Sequence, residues 1–239
     1  MSKILVWDIP NRIFHWLFAG SIAVAMTIAF LVDDEQPLFQ MHMLLGIVTF
    51  FMLLIRLVMG IVGSRYSRFS SYPVHPRVVI GYMFSAVFSK TKLYAGNNPG
   101  SAVAAVLMFV LVPALFISGI GYSGEAFEEL HELLAKGLLA VVILHIAGLT
   151  WHTIRHRENI SLAMITGRKA GRQEDAISSA HPIWGGIVLL ASVLWITALF
   201  AGYSPGSGTV RLPVIGVTLQ LGDNESDGGH HERGVEDDD

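Results

Sequence analysis

Glu128-Glu129-Leu130-His131, running through Leu144-His145 to Trp151-His152, is the stretch whose reading decides the fold. It is an apolar segment of membrane length with histidines at helical spacing. His131 and His145 are fourteen residues apart, close to four whole helical turns, so their side chains leave the helix in nearly the same direction. At about 1.5 Å of rise per residue they stand about 21 Å apart along the axis, most of the way across a hydrocarbon layer of about 30 Å. Ionisable groups at such depth mark functional sites. Two imidazoles stacked on one face point to two metal or haem centres at two levels of a bilayer.

The rest of the chain agrees with a membrane setting. Its 239 residues are 52% hydrophobic and only 15% charged, and its mean hydropathy is +0.54. A soluble domain carries about a quarter charged residues. With no cysteine, disulfides, thiolate-held clusters and covalently attached haem are all excluded. A redox centre has to be held by His or Met, or be a freely bound organic cofactor.

Five spans are expected. The first covers 11–32, opened by Trp7-Asp8-Ile9-Pro10-Asn11-Arg12, with Pro10 before the helix and Asp8 near its positive end. It is followed by Asp33-Asp34-Glu35 rather than by a small-residue cleavage site, so it is expected to remain as a span. The second covers 38–62, the third 101–122 with Pro113 kinking it, the fourth 127–153 and the fifth 182–203. Between the second and third, the segment 78–88 is too short to cross and is expected to lie in the interface. Partial alternation over 209–221 predicts one or two short strands, and the acidic tail 223–239, with His230-His231, reads as disordered.

Twelve of the sixteen Lys and Arg fall at the N-terminus or in the loops 63–100 and 154–181, including Arg65, Arg68, Arg77, Lys90 and Lys92. The positive-inside rule makes that side cytoplasmic and the C-terminal tail periplasmic. The histidines then sort by depth. His15 and His145 lie toward the cytoplasm, and His42 and His131 toward the periplasm. Two cross-helix pairs suit two six-coordinate haems, which pass electrons and leave no position open for O₂. Each histidine is followed within one turn by a small residue: Ala19, Gly46, Ala135 and Gly148 respectively. These could seat a flat macrocycle, or simply reflect close helix packing. His152, two turns beyond His145, is an alternative partner for His15. Arg56 lies fourteen residues after His42 on the same face; it either snorkels to the interface or pairs with a cofactor carboxylate.

These residues resemble the bacterial di-haem cytochrome b family, which includes the b-type membrane subunits of Ni/Fe-hydrogenases and the gamma subunit of formate dehydrogenase. The carrying stretches are Val6-Trp7-Asp8-Ile9-Pro10, Phe14-His15-Trp16, Met41-His42 with Leu45-Gly46, and Arg56 with Gly60 and Gly63-Ser64-Arg65-Tyr66. Further on come Glu129-Leu130-His131-Glu132, Leu144-His145, His156-Arg157-Glu158-Asn159 and Thr166-Gly167-Arg168-Lys169. The likeness covers residues 3–172.

It implies two haems b, His42 pairing with His131 and His15 with His145, and a quinone near Arg12, His15 and His152. Arg56 is expected to neutralise a propionate at the cytoplasmic haem and Lys136 one on the other side. Family members pass electrons between a periplasmic redox partner and the quinone pool. The partner expected here is a c-type cytochrome or hydrogenase-like subunit, steered by the acidic outer surface; no nucleic-acid partner is expected.

The expected fold is thus an all-α integral membrane protein. Residues 1–172 form a four-helix haem-binding bundle, 173–203 a peripheral fifth helix and 204–239 a short periplasmic segment. Two other functions compete: a stand-alone oxidoreductase acting on superoxide or a metal ion, and a non-haem transporter whose histidines bind metal or relay protons.

Overall fold

The computed structural model describes residues 2–88, 93–120 and 124–221. Lys90, Lys92, the expected end of the third span at Tyr122, His230-His231 and the tail 223–239 lie outside the described residues.

Among the described residues, five helices are long and apolar enough to cross a membrane. They are α1 (Ile9–Leu31), α2 (Gln40–Val62), α4 (Pro99–Ile120), α5 (Glu125–His156) and α7 (Pro182–Ala201). Their lengths follow from the apolar runs, and their ends from local chemistry. The carboxylate of Asp8 accepts from the Asn11 amide at 2.9 Å, capping α1, with Pro10 in the first turn. Arg157 turns the chain into the left-handed region (φ 53°) and stops α5. Pro113 is absorbed inside a continuous α4. The short helix α3 (Pro76–Phe88) has no buried residue and leaves Ile80, Phe84 and Phe88 exposed, as an interfacial helix would.

Helix α1 packs along α2 and α7, α4 packs along α5, and α2 joins the two groups through α4. The core lies mainly between α1 and α2, where Phe14, Phe18, Leu44, Val48, Met52 and Leu53 are buried. Phe50 stacks on Phe116 and Phe51 on Trp195, each with centroids 4.0 Å apart, so flat faces fix α2 against α4 and α7. Without a hydrophobic force between helices in lipid, such close contact is what holds spans together.

Each end of the bundle carries a small sheet. At the basic end, β1 (Ser2–Leu5) pairs antiparallel with β2 (Arg168–Gly171), Ser2 opposite Gly171 and Leu5 opposite Arg168. Just before β2, the single turn α6 (Ala163–Thr166) helps bury Ile4, Val6, Trp7 and Tyr66 as a second apolar cluster. Lys169 Nζ reaches across to donate to the carbonyls of Tyr94 (2.7 Å) and Gly96 (3.3 Å). Burial pushes its ammonium below the usual lysine range, opposed by the nearby Glu158 carboxylate.

At the acidic end, β3 (Tyr203–Ser204), β4 (Thr209–Arg211) and β5 (Thr218–Gln220) form one antiparallel sheet. Strands β4 and β5 fall in the stretch 209–221, where alternation predicts one or two, and β3 lies before it. Val210 and Leu221 reach the main core, and the Tyr203 hydroxyl donates to the side-chain carbonyl of Gln40 at the start of α2.

Candidate haem-binding site

Two of the histidines singled out in the sequence meet across the bundle. His42, in the first turns of α2, and His131, early in α5, face each other with ring centroids 6.2 Å apart and planes at 77°. Two imidazoles bonded to opposite faces of one metal at about 2 Å bring their centroids to about 6 Å. The outer nitrogens of both rings are already engaged. His42 Nδ1 lies 2.9 Å from the Ala25 carbonyl of α1; a carbonyl only accepts, so Nδ1 carries the proton.

His131 Nδ1 lies 3.0 Å from Ser118 Oγ on α4, whose own hydroxyl donates to the Leu115 carbonyl at 3.1 Å. Ser118 therefore accepts from His131 Nδ1–H. Both rings are held in the tautomer that leaves Nε2 free as a ligand, the usual outer support of a ligating histidine. Phe39 stacks on His42 at 5.2 Å and 25°, fixing its plane from a third side.

At the other level, His15 of α1 and His145 of α5 are electrostatic neighbours, with His15 edge-on to Trp16 at 5.3 Å between centroids. Among the described residues no extended backbone packing joins α1 to α5, and α5 buries only Leu138 and His152. Most of α5 is thus left uncovered by the other helices. The small residues agree with it. No atom lies within 4 Å of where a Cβ would stand on Gly46 or Gly148, and Ala19 and Ala135 are half-buried on the same helices. Flanking imidazoles, engaged outer nitrogens and open glycine surface together fit haem.

Arg56 is buried, not snorkelling: 2% of it is exposed. Its Nη2 donates to the Ser67 carbonyl (2.7 Å) and the Tyr72 hydroxyl (2.6 Å). The rings of Phe14, Phe69, Tyr72 and Phe109 surround it at 5.1–5.9 Å. Its Nη1 is buried with no partner, so the cage has one donor left for an anion. Gly60 permits this arrangement, because a Cβ there would fall inside the Phe69 ring. Lys136 instead pairs with Glu132 one turn earlier at 2.6 Å, both well exposed, a contact worth little in itself.

His152 is buried at the basic end, stacked on His156 with centroids 4.5 Å apart. Its Nε2 stands 3.8 Å from Glu158 Oε2, while Glu158 Oε1 accepts from the Ala170 amide at 3.1 Å. That packing ties His152 to the cap formed by β2. Arg12 donates to the Ile165 carbonyl and Trp16 Nε1 to the Met164 carbonyl at 3.0 Å, joining α1 to α6.

Sequence reasoning missed Ser118, the Ala25 carbonyl and the aromatic cage of Arg56. A backbone carbonyl leaves no trace in a sequence. Ser118-Gly119 left only a weak one, a small polar pair in an otherwise apolar span.

Membrane-length helices that bring imidazoles of separate spans within one metal's reach point to a class, the membrane-embedded b-type cytochrome. The chain belongs to the prokaryotic cytochrome b561 family, whose model matches residues 6–167. It is therefore a multi-pass bacterial membrane protein that binds haem b and works in electron transport. Among curated proteins it is similar to a probable Ni/Fe-hydrogenase B-type cytochrome subunit of Bradyrhizobium diazoefficiens, 26% identical over 214 residues, covering 71% of this chain and 87% of the relative. No solved structure matches the chain.

Proposed function

We propose that the chain binds two haems b, one between His42 and His131 and one between His15 and His145. It thereby transfers electrons across the cytoplasmic membrane between a periplasmic redox partner and the quinone pool. The observation that carries this reading is the 6.2 Å separation of the His42 and His131 rings, each with Nδ1 turned away to an acceptor. Bound haem supplies reversible one-electron exchange at iron, and the chain sets where and at what potential that happens.

Each residue has a task in this reading. The four histidines are axial ligands. Ser118 and the Ala25 carbonyl aim the outer pair, and Gly46, Gly148, Ala19 and Ala135 leave room for the macrocycle edge. Arg56 offers Nη1 to a propionate of the inner haem, Phe14 of its cage being the neighbour of His15 in α1. Residues 1–172 form the haem-bearing unit, 173–203 the added helix and 204–239 the outer segment.

Charge supports the orientation: the loops between spans at one end hold most of the Lys and Arg, and Asp33, Asp34, Glu35, Glu128, Glu129 and Glu132 are exposed at the other. The acidic end is therefore periplasmic and faces the partner, and the hydrogenase-associated relative favours a redox enzyme or its c-type cytochrome in that role. The quinone belongs to the basic end, near Arg12, His15 and His152. The test is an absorption spectrum with haem quantitation on the purified protein. A b-type spectrum with two haems per chain is expected; a colourless protein, or one haem per chain, refutes the reading.

A further inference from the structure

Beyond the fifth helix, strand β4 leads into Leu212-Pro213-Val214-Ile215-Gly216-Val217, and β5 leads back. The turn is tight. The Ile215 amide donates to the Pro213 carbonyl at 2.9 Å, and the Gly216 amide to the Leu212 carbonyl at 3.0 Å. Val214 at its apex has φ 71°, which makes this the rare form of three-residue turn. Such a backbone suits glycine or asparagine and is least suited to a β-branched residue. The chain nonetheless presents valine there, 98% exposed, with Ile215 67% exposed beside it. From Leu212 to Leu221 no residue is charged.

The register of the sheet places this tip. The turn between β3 and β4 lies over the start of α2: a Cβ on Gly208 would meet Gln40 Nε2 at 3.5 Å, and the Tyr203 hydroxyl bonds the same side chain. Strand β4 then returns, with Val210 opposite Tyr203. The Arg211 amide donates to the Gly202 carbonyl at 2.9 Å, level with the end of α7. Residues 212–217 therefore continue past α7, away from α2 and off the rim of the bundle. Helix α7 has 20 residues and is about 30 Å long, the full thickness of a hydrocarbon layer. Its end lies at the boundary with the headgroups, and so does the tip. Along α7, Leu190, Val193 and Leu194 are exposed to the same lipid.

One cation stands beside the apolar residues. A Cβ on Gly216 would meet Arg211 Nη2 at 3.4 Å, so the guanidinium flanks the tip. Lys136 at this acidic end is paired with Glu132, whereas Arg211 makes no ion pair among the described residues. An unpaired guanidinium at headgroup level, next to exposed valine and isoleucine, matches a phosphate above acyl chains.

We propose that the tip is a lipid anchor: Val214 and Ile215 enter the acyl boundary of the nearer leaflet, and Arg211 holds a phospholipid phosphate beside them. A soluble protein approaching the exposed carboxylates would meet the end of the bundle, whereas the tip overhangs its rim. The anchor ties the sheet, and through Tyr203 and Gln40 the start of α2, to the membrane surface. It needs neither haem nor quinone, and it gives a task to residues outside the stretch 6–167 that the family model matches.

Because the chain has no cysteine, a nitroxide label can be attached to single introduced thiols. Val214→Cys and Ile215→Cys report on the tip. Gly206→Cys, in the turn over α2, is the control, since no atom lies within 4 Å of a Cβ there. The full haem-loaded chain is placed in vesicles of phosphatidylethanolamine and phosphatidylglycerol. Power saturation then compares collisions with oxygen, which prefers lipid, and with a water-soluble nickel chelate. Both tip labels are expected about 5–10 Å below the phosphates, the depth of an interfacial anchor, and the control label in water. Adding Arg211→Gln is expected to draw the Val214→Cys label outward; a label that does not move overturns the phosphate contact. Tip labels as open to nickel as the control overturn the anchor. Tip labels closed to both reagents also overturn it, and assign the tip to contact with protein.

Discussion

Replacing Ser118 by alanine removes one hydroxyl, and the structure says what that hydroxyl does. It accepts from His131 Nδ1–H at 3.0 Å and passes its own proton to the Leu115 carbonyl at 3.1 Å, in a site only 6% exposed. An acceptor on Nδ1–H raises the basicity of the opposite nitrogen toward iron. That favours the more highly charged ferric state, so the alanine variant should raise the potential of the haem proposed between His42 and His131. A hydrogen bond of this kind is worth about 0.5–1.5 kcal/mol net, and 1.4 kcal/mol corresponds to about 59 mV for one electron, giving a rise of roughly 20–60 mV.

Potentiometric titration of the α-band resolves the two proposed centres. One midpoint should move and the other stay. Ser118→Thr, which keeps the hydroxyl, should restore the wild-type value. A shift of both centres by equal amounts, or of neither beyond about 10 mV, refutes the role given to Ser118.

Other expectations concern ligation and packing. His42→Ala should lose one haem of two, read by haem quantitation; retention of both would break the pairing with His131. Gly60→Ala drives a methyl group into the Phe69 ring and should lower stability by about 1–3 kcal/mol, the usual cost of overpacking, read as a lower melting temperature with both haems retained. Lys169 gives a pH dependence. Its pKa in the fold is depressed by burial, so the unfolded chain binds more protons between the folded value and 10.5, and stability rises with pH through that window. Melting followed from pH 8 to 10.5 should show a rise attributable to this group, and Lys169→Met should remove that rise.

The spans were legible because the bilayer imposes length and composition on them. All five predicted spans correspond to helices, with ends within a few residues. The contact of His42 with His131 could be anticipated because both fall early in their spans, at one level of the bundle. What could not be read was whatever depends on contact between distant segments. The pairing of Ser2–Leu5 with Arg168–Gly171 joins two short, partly charged stretches with no alternation to mark them. The cage around Arg56 draws Phe14, Phe69, Tyr72 and Phe109 from three parts of the chain.

The seam between β1 and β2 bears on how the protein is made. Ser2 leaves the ribosome before its partner Gly171, which follows 169 positions later, after four spans have been synthesised. The opening strand has to wait, unpaired, until the bundle stands in the bilayer. Its closure then works as a latch that only a fully inserted four-span unit can shut.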